Sequence, residues 1–297
     1  MNILSMGDLL LDVVVRYDPL AGEADTGPDA VWIGPGGSAA NFAVHAARLG
    51  AKVRFISRVG RDWPGEMLVR SLQDEGITTS VRLMDEASTG RVLVMVDPEG
   101  HRRMWSYPGA SSTLQADDLE TEWFRDLDAF HLTGYSLLRE GPREAALHAL
   151  KLAREQGAPF CTLDPNPPHL MADYGPARFR ELLIQLRFDA IFPNLEEGRL
   201  LSGLGVEASY AEVATNLLDI SPLVVLTLGQ EGCVVASRDQ TWEVPAARLD
   251  VAADATGAGD AFAAGFVTEY LRSKDAYAAA TVANLLAARI VSKVGAR

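Results

Sequence analysis

Cysteine is nearly absent from the 297-residue chain. The two thiols, Cys161 and Cys233, stand apart, with no CxxC and no Cys/His cluster. That pattern speaks against a disulfide framework or a structural zinc site and fits a reducing compartment. Positive charge is also scarce: 27 Lys+Arg face 40 Asp+Glu, a net charge of −13. Gripping nucleic acid or an anionic membrane takes clustered Lys and Arg, so neither partner is expected, although a small anion held locally stays open. No apolar run approaches the ~20 residues of a membrane span. Even Val13-Val14-Val15 is bracketed by Asp12 and Arg16. The opening residues carry no basic segment followed by a long apolar stretch, so no signal peptide is expected and a cytoplasmic location is. A GxxxxGK[ST] loop is missing, and no GxGxxG follows the first apolar run. P-loop nucleotide hydrolases and Rossmann dehydrogenases are thereby disfavoured.

What is present is a core-forming chain, 48% apolar and 23% charged. Short apolar runs at 2–6, 52–57, 129–132, 159–163, 190–192 and 223–228 read as strands. Amphipathic, Ala/Leu/Arg/Glu-rich stretches at 38–49, 66–75, 142–156, 176–186, 210–218, 259–272 and 276–292 read as helices. The apolar runs are continuous rather than alternating, as in parallel strands covered on both faces. Strand and helix in alternation predict an α/β fold with a mostly parallel central sheet flanked by helices.

Two regions break the rhythm. Segments 9–16, 91–96 and 102–107 have ribbon character, with Asp97-Pro98-Glu99-Gly100 as a turn and no helix between them. They predict a small antiparallel β flap built from residues near 9–34 and 90–108; edge strands of the main sheet are the alternative. Without repeats, low-complexity tracts or long linkers, one domain over 1–297 is expected.

The segment Asp254-Ala255-Thr256-Gly257-Ala258-Gly259-Asp260 carries the most chemistry. Small residues let successive backbone amides approach a ligand, and a helical pattern begins there, so the turn suits a phosphate or an oxyanion. Asp260 falls in the first helical turn. It is either a cap for amide groups or a base that takes a proton from a hydroxyl attacking phosphorus.

These residues resemble the ribokinase-like (PfkB-type) carbohydrate kinases. One signature is Gly36-Gly37-Ser38-Ala39-Ala40-Asn41-Phe42-Ala43 with Gly50 and Gly60; the other is the 254–260 turn continuing through Ala264-Gly265. Weaker matches lie between them in the expected order: Gly7-Asp8 with Asp12, Asp164-Pro165-Asn166, Asn194-Leu195-Glu196-Glu197, and Thr227-Leu228-Gly229-Gln230-Glu231-Gly232. The resemblance implies a three-layer α/β domain with a β lid, moving the γ-phosphate of ATP to a sugar hydroxyl.

The resemblance also implies roles. Asp12, Gly36, Gly37 and Asn41 match the sugar site. Asp260 matches the catalytic base, and Gly257, Ala258 and Gly259 the anion hole. Asn194 and Glu197 match a pair that positions Mg²⁺, usually through water. Thr227, Gly229 and Gly232 match the phosphate-contacting strand end, and Asn284 the adenine pocket. Asp254 and Thr256 match positions that ligate a monovalent cation such as potassium in some relatives, with a partner loop at 292–296. Ala255 departs from the Ser, Thr, Val or Pro usual at its position, a change too small to disturb the turn.

The acceptor is an unphosphorylated sugar in this reading, because no basic pair is evident near Asp12 and Asn41. Trp105 or Tyr107 in the flap is expected to stack on the sugar or on a base, the alternative being that either packs the flap against the body. Relatives acting on fructose or 2-keto-3-deoxygluconate often carry Asp-Pro-Asn-x-Arg, whereas Pro167-Pro168 follows Asn166 here. A nucleoside acceptor and a non-catalytic sugar or nucleotide sensor are the alternatives. Ribbon edges are expected to pair between subunits, giving a homodimer through the lid.

Overall fold

The computed structural model describes residues 1–18, 30–97, 102–247, 255–292 and 295–297. Its thirteen strands are β1 (Asn2–Met6), β2 (Leu10–Arg16), β3 (Val31–Gly36), β4 (Lys52–Gly60), β5 (Thr78–Met84), β6 (Thr89–Val96), β7 (Arg102–Gly109), β8 (Ala129–Thr133), β9 (Cys161–Asp164), β10 (Ala190–Ile191), β11 (Leu223–Thr227), β12 (Cys233–Ser237) and β13 (Thr241–Val244). Ten helices accompany them: α1 (Ser38–Arg48), α2 (Trp63–Asp74), α3 (Gly134–Leu138), α4 (Glu140–Glu155), α5 (Pro168–Tyr174), α6 (Pro176–Leu186), α7 (Leu195–Ser202), α8 (Tyr210–Asn216), α9 (Ala258–Ser273) and α10 (Ala276–Val291).

Nine strands form the large sheet, in the order β13-β12-β11-β10-β9-β8-β1-β4-β5. All its pairings are parallel except those of β12, which runs against both β11 and β13. The continuous apolar runs are explained by a core on each face. Ile3, Phe55 and Val225 pack with α1, α2, α9 and α10. Their neighbours Leu4, Ile56 and Val224 pack with α4 to α8 on the other side. Side chains alternate across a strand, so a strand covered twice must be apolar at every position.

The remaining strands form a separate small sheet in the order β3-β2-β6-β7. It is therefore not an edge of the large one. Two antiparallel pairs, β2–β3 and β6–β7, meet in a parallel β2–β6 seam. The seam follows from connectivity: β2 continues from β1 and β6 from β5, and both feeders run the same way in the large sheet. Of the expected turn at 97–100, residues 98–100 lie outside the described residues.

Short or half-polar elements escaped the periodicity argument. Helices α3, α5 and α7 have only 5, 7 and 8 residues, β5 buries no residue fully, and β12–β13 is a terminal hairpin. No helix among the described residues is long and apolar enough to cross a membrane.

Candidate active site

A cavity of about 280 Å³ opens where the large-sheet strands end, beneath the small sheet. Asp8 follows β1, Tyr135 follows β8, Asp164 closes β9, Asn194 follows β10 and Thr227 closes β11; all five line it. Carboxyl ends of parallel strands are where open α/β sheets place ligands, because the connections there diverge and leave a crevice. The small sheet supplies the roof with alternate residues, Leu10 and Asp12 on β2, Val92 and Val94 on β6, Met104 and Ser106 on β7.

Helix α1 places one side chain per turn toward the reacting end. Gly37 starts it at φ +100°, with its Cα so close to the Asp8 carbonyl that an added Cβ would lie 2.4 Å away. Only glycine tolerates that combination. Ser38, Asn41 and His45 then recur at helical spacing on one face. The Ser38 hydroxyl donates to Asp260 Oδ1 (2.5 Å) and the Asn41 amide Nδ2 to Asp260 Oδ2 (2.8 Å). Asn166 Nδ2 donates to the Ser38 hydroxyl from behind (3.1 Å). Gly36 is needed for a different reason: a Cβ there would fall 2.2 Å from the Asp12 carboxyl.

Helix α9 begins after Gly257, left-handed at φ +75°. Gly257, Gly259 and Asp260 line the cavity together with Thr256. The Ala258 N–H is directed to the Ala255 carbonyl (3.3 Å) and closes the turn. The first amides of the helix have no intrahelical acceptor and, with the dipole, favour an anion beside Gly259.

Carboxylates dominate the electrostatics. Burial raises Asp260 to about 6, against the Ser38 and Asn41 hydrogen bonds that favour its charged form. Burial likewise raises Glu197 to about 7, despite the N–H of Asn194 that it accepts (2.9 Å). Asp164 is pushed well above the usual carboxylate range by burial and then by the charges of Glu197 and Asp260. Asp8 is raised by burial and eased by Arg139; one of its oxygens accepts the Ser38 N–H (3.3 Å), while Oδ1 has no hydrogen-bond partner among the described residues. Buried carboxylates of this kind are costly without compensating charge, although no three His, Cys, Asp or Glu among the described residues are grouped to hold a metal ion by themselves.

Asp12, Gly37, Asn41, Asn194, Glu197, Thr227, Thr256, Gly257, Gly259 and Asp260 thus meet at one cavity, as the motifs suggested. Others do not line it, Gly36 and Ala258 standing only beside residues that do. Trp105 is a correction: it pairs with Leu93 across β6–β7 and is 52% exposed on the outer face, because its neighbours Met104 and Ser106 take the inner one. Gly229 and Gly232 shape the β11–β12 turn with positive φ and do not line the cavity. Asn284 donates to the carbonyls of Val244 (3.3 Å) and Pro245 (3.1 Å), tying α10 to the end of β13. Asp254 lies outside the described residues. The sequence reading quoted Asp8, Ser38, Asp164 and Asn166 within motifs without giving them a site role, and passed over Tyr135 and Arg139, which line the cavity, and Arg297, which bonds Asn41. Helical spacing from Asn41 was the one available signal, and it reaches Ser38 only.

The pfkB family carbohydrate kinase model matches residues 1–297. The chain belongs to that family. This kinase is 32% identical over 266 residues to Fructokinase-1 of Zea mays, covering 88% of its own chain and 80% of the relative. It is 30% identical to the deoxyribokinase of Salmonella typhi, over 99% of its own chain and 94% of the other. Among solved structures it resembles the aminoimidazole riboside kinase of Salmonella enterica, complexed with aminoimidazole riboside and an ATP analog (TM-score 0.82, 25% identity, 100% and 95% covered). A putative ribokinase II from E. coli, in complex with ATP and Mg²⁺, shares the fold (TM-score 0.85, 22% identity, 99% and 94% covered). The kinase is thus a sugar kinase with the ribokinase-like fold.

Proposed function

We propose that this kinase transfers the γ-phosphate of ATP to a primary hydroxyl of an unphosphorylated sugar. Asp260 is the general base, and the turn of Gly257, Ala258 and Gly259 is the anion hole, with Gly257 and Gly259 facing the cavity and Ala258 closing the turn through the Ala255 carbonyl. One observation carries the reading: the Asp260 carboxylate, fixed by Ser38 and Asn41, lines the same cavity as Gly257 and Gly259 at the start of α9 and Asp12 of the roof. Phosphoryl transfer has a loose transition state, so position and charge stabilisation outweigh basicity. A carboxyl raised to about 6 is ionised at neutral pH and still a better proton acceptor than an exposed one.

Asp12 and Asn41 hold the sugar hydroxyls, with Gly36 and Gly37 bringing backbone near the ring. Asp8 Oδ1, buried without a hydrogen-bond partner among the described residues, is a further acceptor for a hydroxyl of the acceptor molecule. The residues present fit Mg²⁺. A Cβ on Gly259 would lie 4.0 Å from Asp164 Oδ2, so the anion turn and the strained pair Asp164 and Glu197 face one space. Mg²⁺, which keeps several waters, would be held there by Asp164 and Glu197 and would neutralise charge on the phosphates. Asn194 acts by capping α7 and orienting Glu197. Thr227 contacts phosphate, and Thr256 would be a ligand of a monovalent cation such as potassium; Asp254, the other residue expected there, lies outside the described residues.

We read the acceptor as unphosphorylated because five carboxylates, Asp8, Asp12, Asp164, Glu197 and Asp260, line the cavity against one lining arginine, Arg139, and Arg297 spends Nε and Nη2 on Asn41 and Gly36. The small sheet closes as a lid that excludes water, so that ATP is not hydrolysed in vain; both sheets work as one kinase domain over 1–297. Its outer face shows Val31, Ile33, Leu93, Trp105 and Tyr107, and its edge strands β3 and β7 suit pairing in a homodimer. Buried unpaired thiols at Cys161 and Cys233 support a cytoplasmic setting.

ADP release measured over a panel of sugars and nucleosides, with and without potassium, tests the reading. Rapid turnover on one neutral sugar and slow ATP hydrolysis without it are expected. Tight ligand binding with no turnover on any acceptor would instead indicate a sensor.

A further inference from the structure

Asn41 is held from both sides. Its Nδ2 donates to Asp260, and its Oδ1 accepts from Arg297 Nε (2.7 Å). Arg297 also donates through Nη2 to the Gly36 carbonyl (2.9 Å). A guanidinium has donors only, so it accepts one orientation of the Asn41 amide and rejects the other. Turned over, the amide would set its NH₂ against the guanidinium and its oxygen against the Asp260 carboxylate. The Gly36 bond fixes the backbone just ahead of Gly37, where α1 begins.

The approach of Arg297 is built into the fold. Ala296 is fully buried, and its carbonyl accepts a hydrogen bond from His45 Nε2 (2.9 Å). Burial keeps that imidazole neutral, lowered to about 4, so Nε2 carries its proton toward the carbonyl. A Cβ on Gly257 would lie 2.5 Å from Ala296 Cβ, so the segment is wedged between α1 and the anion turn. Arg297 does not line the cavity itself; it lies behind Asn41, near the charges of Asp12 and Asp260.

We propose that Arg297 is a positioning residue for phosphoryl transfer: through Asn41 it sets the direction in which the Asp260 carboxylate is held, with its guanidinium on the far side of that amide. The proposal rests on the reading of Asp260 as base. The groups facing Asp260 are Ser38 and Asn41 from α1, Asp8 after β1, Tyr135 after β8, Asp164 from β9 and Arg297. Arg139 lines the same cavity and faces Asp8 and Tyr135, whereas Arg297 is the cation that acts on Asp260, so its loss moves the carboxyl upward.

Three variants separate its two actions: Arg297→Met removes both, Arg297→Gln keeps a donor for Asn41, and Arg297→Lys keeps the charge. A hydrogen bond to a charged group sets the scale, and kcat of Arg297→Met is expected to fall about 10- to 100-fold. The acid limb of its kcat profile should move to higher pH, with a smaller rise in KM for the sugar. Arg297→Lys should restore the acid limb but only part of kcat; Arg297→Gln should restore part of kcat and leave the limb displaced. Thermal melting of each variant with ATP bound identifies any that fails to fold, and the two conservative variants then decide. Wild-type kcat and an unmoved acid limb in both would overturn the proposal. Asp260→Asn, run beside them, keeps the two claims apart: a dead Asp260→Asn with normal Arg297 variants sinks the positioning role alone, and an active Asp260→Asn sinks the base.

Discussion

The two sheets differ in how they use apolar residues. The large sheet is buried on both faces, and its strand ends carry Asp164 and Thr227, with Asp8 and Asn194 just beyond. The small sheet has a core of only Leu10, Val14, Val92 and Val94, with Trp32 and Val96 against it, and its outer face is open. One sheet is a rigid frame on which close-packed neighbours fix each reacting group. The other adds a few contacts from one face and has little packing to lose when it moves.

Substitutions can break or sharpen this contrast. Asp260→Asn is expected to lower kcat about 10²- to 10⁴-fold, the usual contribution of a positioned base, with sugar binding by calorimetry largely kept. An effect under tenfold would remove Asp260 from the chemistry. Phe130→Ala, in β8 and fully buried, should cost about 3–5 kcal/mol in chemical denaturation. Asp12→Asn, on the roof, should raise KM for the sugar about 10- to 100-fold and change kcat less, since it loses one charged hydrogen bond. If kcat fell as steeply as for Asp260→Asn, the small sheet would share the chemistry rather than the binding.

The pH dependence follows from the role proposed for Asp260. With Asp260 raised to about 6, kcat should fall as pH drops through that value, because the acceptor form is lost. The stability effect has the opposite sign. The folded protein holds a proton that the unfolded carboxyl releases near 4, so this group favours the fold below that range. Its contribution fades as pH rises toward 6. Urea denaturation at pH 4.5 and 7.5 for wild type and Asp260→Asn isolates it: the wild type should lose more stability across the interval than the variant. The smallest effect is expected from Trp105→Ala. Its exposed ring should change monomer stability by under ~0.5 kcal/mol and leave KM alone, while light scattering should show weaker self-association if the outer face pairs.

Much of this could be read from residue order. The apolar runs at 2–6, 190–192 and 223–228 located their strands within a residue or so, because burial on both faces admits no polar break. The Gly36-Gly37 and 254–260 signatures led to the cavity because close backbone approach leaves few residue choices. Trp105 was misplaced for a reason equally physical. Strand residues change face at each step, and composition alone gives no register against β6. Arg297 was invisible since its partners, Asn41 and Gly36, lie more than 250 positions away.

The order of amino acids by itself determined the α/β layering, the family, and the residue types able to hold a phosphate and accept a proton. These depend on local spacing and on which side chains tolerate burial or left-handed backbone. Tertiary structure decided which face of the small sheet looks inward, that Asp8, Asp164 and Glu197 share one acid-rich space, and that a distant guanidinium sets the Asn41 amide. Those outcomes arise from strand register and long-range packing, where contacts form between segments that no local pattern relates.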